Sequence, residues 1–113
     1  MGNTRILIID DEALIRDLIK EYLSVEDYAL DEGADGQQGL EMFQRNHYDL
    51  IVLDVMMPFM DGWSLCREIR KTSSVPITMI TARGEDFERI MGLDIGADDY
   101  IVKPVSPGEV MAR

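Results

Sequence analysis

Short apolar runs that alternate with helically spaced segments constrain this chain more than any other feature. Arg5-Ile6-Leu7-Ile8-Ile9 and Leu50-Ile51-Val52-Leu53 are continuously apolar. Strands of that kind are covered on both sides, the condition of a parallel sheet with helices on its two faces. After the first run, Leu14, Ile15, Leu18, Ile19, Tyr22 and Leu23 recur at helical spacing, which predicts a helix over Glu12 to Ser24.

The pattern repeats along the chain. Tyr28 to Gly33 reads as a strand that carries Asp31 and Glu32, acids that suit an edge rather than a centre. Asp35-Gly36 supplies a turn and an N-cap for a helix through Leu40, Phe43 and Gln44. Asp49 to Asp54 is the strongest strand. The loop Met56-Met57-Pro58-Phe59-Met60-Asp61-Gly62 follows, then a helix marked by Leu65, Cys66 and Ile69 that ends at Arg70-Lys71. Val75 to Ile80 is a fourth strand. Phe87, Ile90, Met91 and Ile95 mark a fourth helix closed by Gly96. Tyr100-Ile101-Val102 is a fifth strand, and Pro107 opens a fifth helix that the chain end at Arg113 cuts short. The expected architecture is α/β: a flavodoxin-like (βα)5 doubly wound parallel sheet of order 2-1-3-4-5, as one domain over residues 1–113.

Composition narrows the function. Twenty-two acids against 11 Lys and Arg give a formal charge of −11, the wrong sign for gripping a phosphate backbone or an anionic membrane. A small cation or a basic partner surface fits it. Cys66 is the only cysteine, so an internal disulfide and a thiolate metal cage are excluded, and a reducing, cytoplasmic setting is expected. No apolar run is long enough to cross a bilayer as a helix.

Ligands in open α/β sheets sit outside the C-terminal ends of the strands. There the sequence places Asp10-Asp11-Glu12 after the first strand, Asp54 at the end of the third, Thr81-Ala82 at the fourth and Lys103-Pro104 at the fifth. Carboxylates brought together repel unless one is protonated or a cation joins them. Oxygen donors without His or Cys select a hard ion, and Mg²⁺ is the default where phosphate is handled. Thr81 adds a hydroxyl and Lys103 an ammonium, and phosphoryl transfer needs little beyond such positioning and charge. Central Asp54 is the candidate nucleophile, giving an aspartyl phosphate, with Asp10 and Asp11 as metal holders. Each residue also has a plainer role. Asp10 or Asp11 could cap the following helix, Thr81 could be an ordinary strand residue and Lys103 a solvated cation.

Taken in order, Asp10-Asp11, Leu53-Asp54, Met57-Pro58, Met60-Asp61-Gly62, Thr81-Ala82 and Gly96-Ala97-Asp98-Asp99-Tyr100-Ile101-Val102-Lys103-Pro104 resemble the receiver domain of bacterial two-component response regulators. The resemblance implies that Asp54 accepts a phosphoryl group from a sensor histidine kinase. It implies that Asp10, Asp11, Asp54 and the backbone carbonyl of Met56 bind Mg²⁺, that Lys103 contacts the phosphoryl oxygen, and that the Lys103–Pro104 bond is cis. Thr81 and Tyr100 would then form a two-state switch. Thr81-Ala82-Arg83-Gly84 and Gly96-Ala97-Asp98-Asp99-Tyr100 are most similar to the winged-helix OmpR/PhoB branch. That likeness implies a homodimer through the fourth helix, fifth strand and fifth helix (the α4-β5-α5 face), with Arg89, Asp98, Asp99, Glu109 and Arg113 as its charges. DNA would be reached only through an effector domain beyond this chain, and the domain would catalyse only its own phosphorylation and dephosphorylation.

Val105 stands where this branch usually has Phe, and Gly108 weakens the fifth helix. With that helix incomplete, an apolar strip against the sheet is expected to be exposed and to favour association. Met56 and Arg83, each two residues past a site position, are expected to tune phosphate lifetime by shielding or admitting the attacking water. His47 belongs at the far end of the sheet, and Cys66 reads as a core thiol. Two other classes stay in view. An aspartyl phosphohydrolase would carry an Asp-x-Asp motif, whereas Asp54 is followed by Val55-Met56. A flavin-binding protein of this topology would have a phosphate-cradling Ser/Thr loop where Asp10-Asp11-Glu12 stands.

Overall fold

A computed structural model describes residues 4–24, 27–55, 57–81 and 99–102. The expected fourth and fifth helices lie outside these residues. Among the described residues, strands β1 (Arg5–Ile9), β2 (Ala29–Gly33), β3 (Leu50–Asp54), β4 (Ile77–Thr81) and β5 (Asp99–Val102) form one sheet in the order β2-β1-β3-β4-β5. Every neighbouring pair is parallel. Helices α1 (Ala13–Leu23), α2 (Gly36–Arg45) and α3 (Gly62–Arg70) fill the crossovers between the first four strands.

The continuous apolar runs divide between two faces because successive strand side chains point in opposite directions. Leu7, Ile9, Ile51, Leu53, Ile77 and Met79 join one core cluster with Leu65, Cys66 and Ile69 of α3, and with Leu40 and Phe43 of α2 packed against it. Ile6, Ile8, Val52 and Ile80 join the other with Ile19 and Leu23 of α1. The sheet is thus covered on both sides, as apolar runs without alternation require. Cys66 is a buried thiol.

Local signals set the helix starts. Asp35 accepts a hydrogen bond from the Gln38 amide at 2.8 Å and caps α2, while Gln38 Oε1 accepts from the Ala34 amide at 2.6 Å. Asp61 caps α3 by accepting from the Ser64 amide at 2.8 Å. Lys20, Arg45, Arg67 and Arg70 sit in last turns, where cations suit the helix dipole. Helix α1 is one residue shorter at each end than its spacing predicts, with Glu12 and Ser24 as its caps. Strand β4 begins two residues later than expected, after Pro76, which has no amide hydrogen to give a ladder.

Edge strand β2 keeps its acids by giving each of them partners. Asp31 Oδ2 accepts from Arg5 Nε at 3.2 Å, Arg5 Nη2 at 2.9 Å and the Tyr48 hydroxyl at 2.8 Å. The Arg5 guanidinium also lies 5.3 Å from the centroid of the Tyr48 ring, a cation–π distance. Burial of Tyr48, and its bond to an anion, push the phenol pKa up to about 12. A phenol whose pKa rises on folding stabilises the fold fully below the unfolded value of about 10, and that contribution is lost as pH climbs towards 12. Alkaline titration followed by phenolate absorbance should therefore show a late-ionising tyrosine that Tyr48→Phe removes. The substitution should also flatten the loss of stability between about pH 10 and 12.

Candidate functional site

Two adjacent strands bring the acids together. Strands β1 and β3 are neighbours with Ile9 opposite Leu53, so Asp10 and Asp54 follow them at the same level of the sheet. One carboxylate oxygen from each of Asp10, Asp11, Glu12 and Asp54 lies within 4.8 Å of the others. Asp10 and Asp54 are buried at 1% and 2% exposure, whereas Asp11 and Glu12 face solvent. This is a half-open cup with a buried floor and an accessible rim. The described donors are all oxygens, which fits a hard divalent cation such as Mg²⁺ and not a soft one.

Asp10 is held from several directions. Its amide donates to the Gly33 carbonyl at 3.2 Å, which ties the end of β1 to the end of β2. Its Oδ1 accepts from the Glu12 amide at 2.9 Å, so Asp10 forms the turn into α1 rather than the formal N-cap. Its carbonyl accepts from Arg16 Nη1. On Glu32, Oε1 accepts from Arg16 Nε at 2.9 Å and Oε2 from Lys20 Nζ at 2.7 Å. The Lys20 ammonium holds the Glu32 carboxyl below its ordinary range, and Glu32 in turn raises the pKa of Lys20.

Asp54 is set by close backbone packing. The Gly62 amide donates to the Val55 carbonyl at 2.8 Å, and a Cβ on Gly62 would stand only 2.3 Å from the Asp54 carbonyl oxygen and 2.8 Å from Val55 Cα. Between these points the loop turns sharply. The Met60 amide donates to the Pro58 carbonyl at 2.8 Å around Phe59, whose φ is 71°, which makes a γ-turn of the rarer, strained kind. Met60 is thereby turned inward onto Gly36 at the start of α2, and the Phe59 ring is left 90% exposed.

The remaining expected residues are placed as follows. Thr81 is the last residue of β4, one beyond Ile80, which stands opposite Asp54, so the chain puts it at the same sheet edge. Tyr100 and Asp99 lie in β5, opposite Met79 and Thr78 of β4. Met56, Arg83, Arg89, Asp98, Lys103, Pro104, Val105, Gly108, Glu109 and Arg113 lie outside the described residues. His47 is exposed at the opposite end of the sheet, 3.5 Å from Asp49. Three contributions were not foreseen from the sequence: Glu12 as a fourth carboxylate, Arg16 as the group on the Asp10 carbonyl, and Gly62 as the close fit beneath Asp54. Only the first carried a signal, since Glu12 extends the acidic run.

Comparison with known proteins bears on this site. Residues 6–113 match the family described as the response regulator receiver domain. The chain is 51% identical over 113 residues to a probable transcriptional regulator ycf27 of Porphyridium aerugineum, covering all of this chain and 47% of that protein. It is 50% identical over 112 residues to the transcriptional regulatory protein ResD of Bacillus subtilis, covering 99% and 47%. It spans about half the length of these curated relatives. Among solved structures, a Francisella response regulator 1452 receiver domain superposes with a TM-score of 0.92 at 35% identity, covering 98% of this chain and 93% of that one. The chemotaxis response regulator CheY4 of Vibrio cholerae gives 0.92 at 29%, covering 98% and 95%.

Two substitutions between Asp54 and the first turn of α3 should have opposite effects on stability. Gly62→Ala normally gains helix propensity, yet here its methyl group meets backbone, so a loss of about 1–3 kcal/mol is expected in urea unfolding. Phe59→Gly relieves a positive φ worth about 1–2 kcal/mol against about 0.5–1 kcal/mol of added chain entropy, for a net gain of up to about 1.5 kcal/mol.

Proposed function

The chain belongs to the response regulator receiver domain family, and on that premise we propose that it is the phosphoacceptor switch of a two-component pathway with Asp54 carrying the phosphoryl group. A receiver domain is a signalling domain rather than a typical enzyme, and the reading extends over the chain as one domain, residues 1–113. The observation that carries the proposal is the carboxylate cup at the ends of β1 and β3, with Asp54 on the central strand.

In this reading an Asp54 carboxylate oxygen attacks the phosphorus of a phosphohistidine on a sensor kinase. The new O–P bond forms as the N–P bond breaks, and the imidazole nitrogen leaves with the bonding pair. Asp10, Asp11 and Asp54, with the Met56 carbonyl, are the residues that would hold Mg²⁺, and Glu12 is close enough to assist. Mg²⁺ would supply neutralisation of the phosphoryl oxygens. The Lys103 ammonium and the Thr81 hydroxyl would donate to those oxygens. The end position of Thr81 on β4, next to the strand of Asp54, supports its part. Tyr100, on the strand beyond, would follow Thr81 when the phosphoryl group arrives. The same residues would later admit water and release phosphate, so the chain catalyses only its own modification.

The downstream consequences belong to the same proposal. The surface built from the fourth helix, β5 and the fifth helix would form a homodimer, with Arg89, Asp98, Asp99, Glu109 and Arg113 as its charges. The full-length protein would bind DNA through a winged-helix effector domain. The names of the relatives, which are transcriptional regulators about twice as long, support this. Among the described residues no helix is long and apolar enough to cross a membrane. A cytoplasmic site of action accords with the proposed kinase and DNA partners. Leu14 at the start of α1, 82% exposed, and Phe59 are large apolar side chains set in sequence beside the cup, and they suit contact with a protein phosphodonor.

Incubation with Mg²⁺ and acetyl phosphate should add one phosphoryl group, retained in acid and lost in mild base, that Asp54→Asn abolishes. Multiple turnover of an unrelated phosphate ester, or phosphorylation that survives Asp54→Asn, would overturn the reading.

A further inference from the structure

We propose that Arg16 is a positioning residue for the Mg²⁺ site: its guanidinium, anchored on Glu32, holds the peptide between Asp10 and Asp11 so that both carboxylates point to one ion. The proposal rests on the reading of the acidic cup as a Mg²⁺ site.

The geometry is a strut running from β2 through α1 to the end of β1. Arg16 Nη1 donates to the Asp10 carbonyl while Nε donates to Glu32 Oε1 at 2.9 Å, so one planar group spans an acceptor on β2 and one just past the end of β1. Its side chain is only 16% exposed, and water competes little for either bond. Lys20 Nζ takes the second Glu32 oxygen at 2.7 Å, so the anchor is itself braced. The carbonyl that Arg16 holds belongs to the peptide joining the two expected metal ligands. Rotation of that peptide would swing Asp11 relative to Asp10. The Asp10 amide and Oδ1 are already engaged by Gly33 and Glu12, and the carbonyl is a third point of attachment. Groups behind the ligands commonly set metal affinity in this manner.

Charge and position make opposite forecasts, which gives the test its force. Removing a cation from beside an acidic cup should, by Coulomb interaction alone, tighten Mg²⁺ binding. Removing a positioning contact should weaken it. Mg²⁺ affinity is to be measured by calorimetric titration of the full chain without phosphodonor, on the wild type, Arg16→Ala, Arg16→Lys and Lys20→Ala. Unfolding midpoints are to be measured without Mg²⁺. Arg16→Ala is expected to weaken binding roughly tenfold or more. Arg16→Lys should recover part of the loss, because an ammonium reaches one acceptor but cannot span both. Lys20→Ala should lower the unfolding midpoint yet keep wild-type affinity, because Lys20 does not touch Asp10. Unchanged or tighter binding by Arg16→Ala overturns the proposal, as does equal weakening by Lys20→Ala. Should Arg16→Ala fail to fold, Arg16→Met keeps the apolar stem but removes both donors, and wild-type or tighter Mg²⁺ affinity in that variant overturns the proposal. A wild-type chain that binds no Mg²⁺ fails differently, since it removes the metal reading itself.

Discussion

Repulsion among carboxylates packed within 4.8 Å of one another is the constraint around which this structure is arranged. Two of them are buried, and buried anions are destabilising without a compensating cation or hydrogen bonds. The fold gathers them because β1 and β3 are neighbouring parallel strands that end at the same level. Parallel strands deliver every C-terminus to one edge, so residues 44 positions apart, Asp10 and Asp54, become neighbours. The two apolar clusters on the faces of the sheet are what hold the strands against that repulsion.

Around the cup, precision comes from backbone rather than from long side chains. The Asp10 amide is tied to Gly33, and the start of α3 lies so close beneath Asp54 that no Cβ fits on Gly62. On the far side of the loop Met60 rests on Gly36, and the strained turn at Phe59 is what allows it to reach inward. Strain in that turn is offset by the packing of Met60 against the core cluster shared by α2 and α3. The site is therefore framed by three helix starts, and a shift of any one of them would alter the cup.

Much of this was legible in the residues. Continuous apolar runs without alternation stated that the sheet is covered on both faces, and β1, β3 and the three described helices lie within two residues of where their spacing put them. Asp35 and Asp61 announced the helix starts they cap. The acids were legible as a set because strand ends are the place for a ligand in this class of sheet. Arg16 was not legible. At helical spacing it looks like one more exposed cation on α1, and nothing in a linear reading says that a guanidinium six residues past Asp10 folds back to its carbonyl. Gly62 read as a turn residue, whereas the structure gives it a packing role.

Residue order alone determined the periodicities, the caps and the kinds of donor available at each strand end, because these depend on neighbours a few positions away. Tertiary structure decided which groups meet: that Glu12 joins the cup, that Glu32 on an edge strand anchors Arg16, and that the Asp54 carbonyl sits against Gly62. Those contacts join segments separated along the chain, and their distances follow from how helices seat on a sheet, which is settled only when both cores are packed.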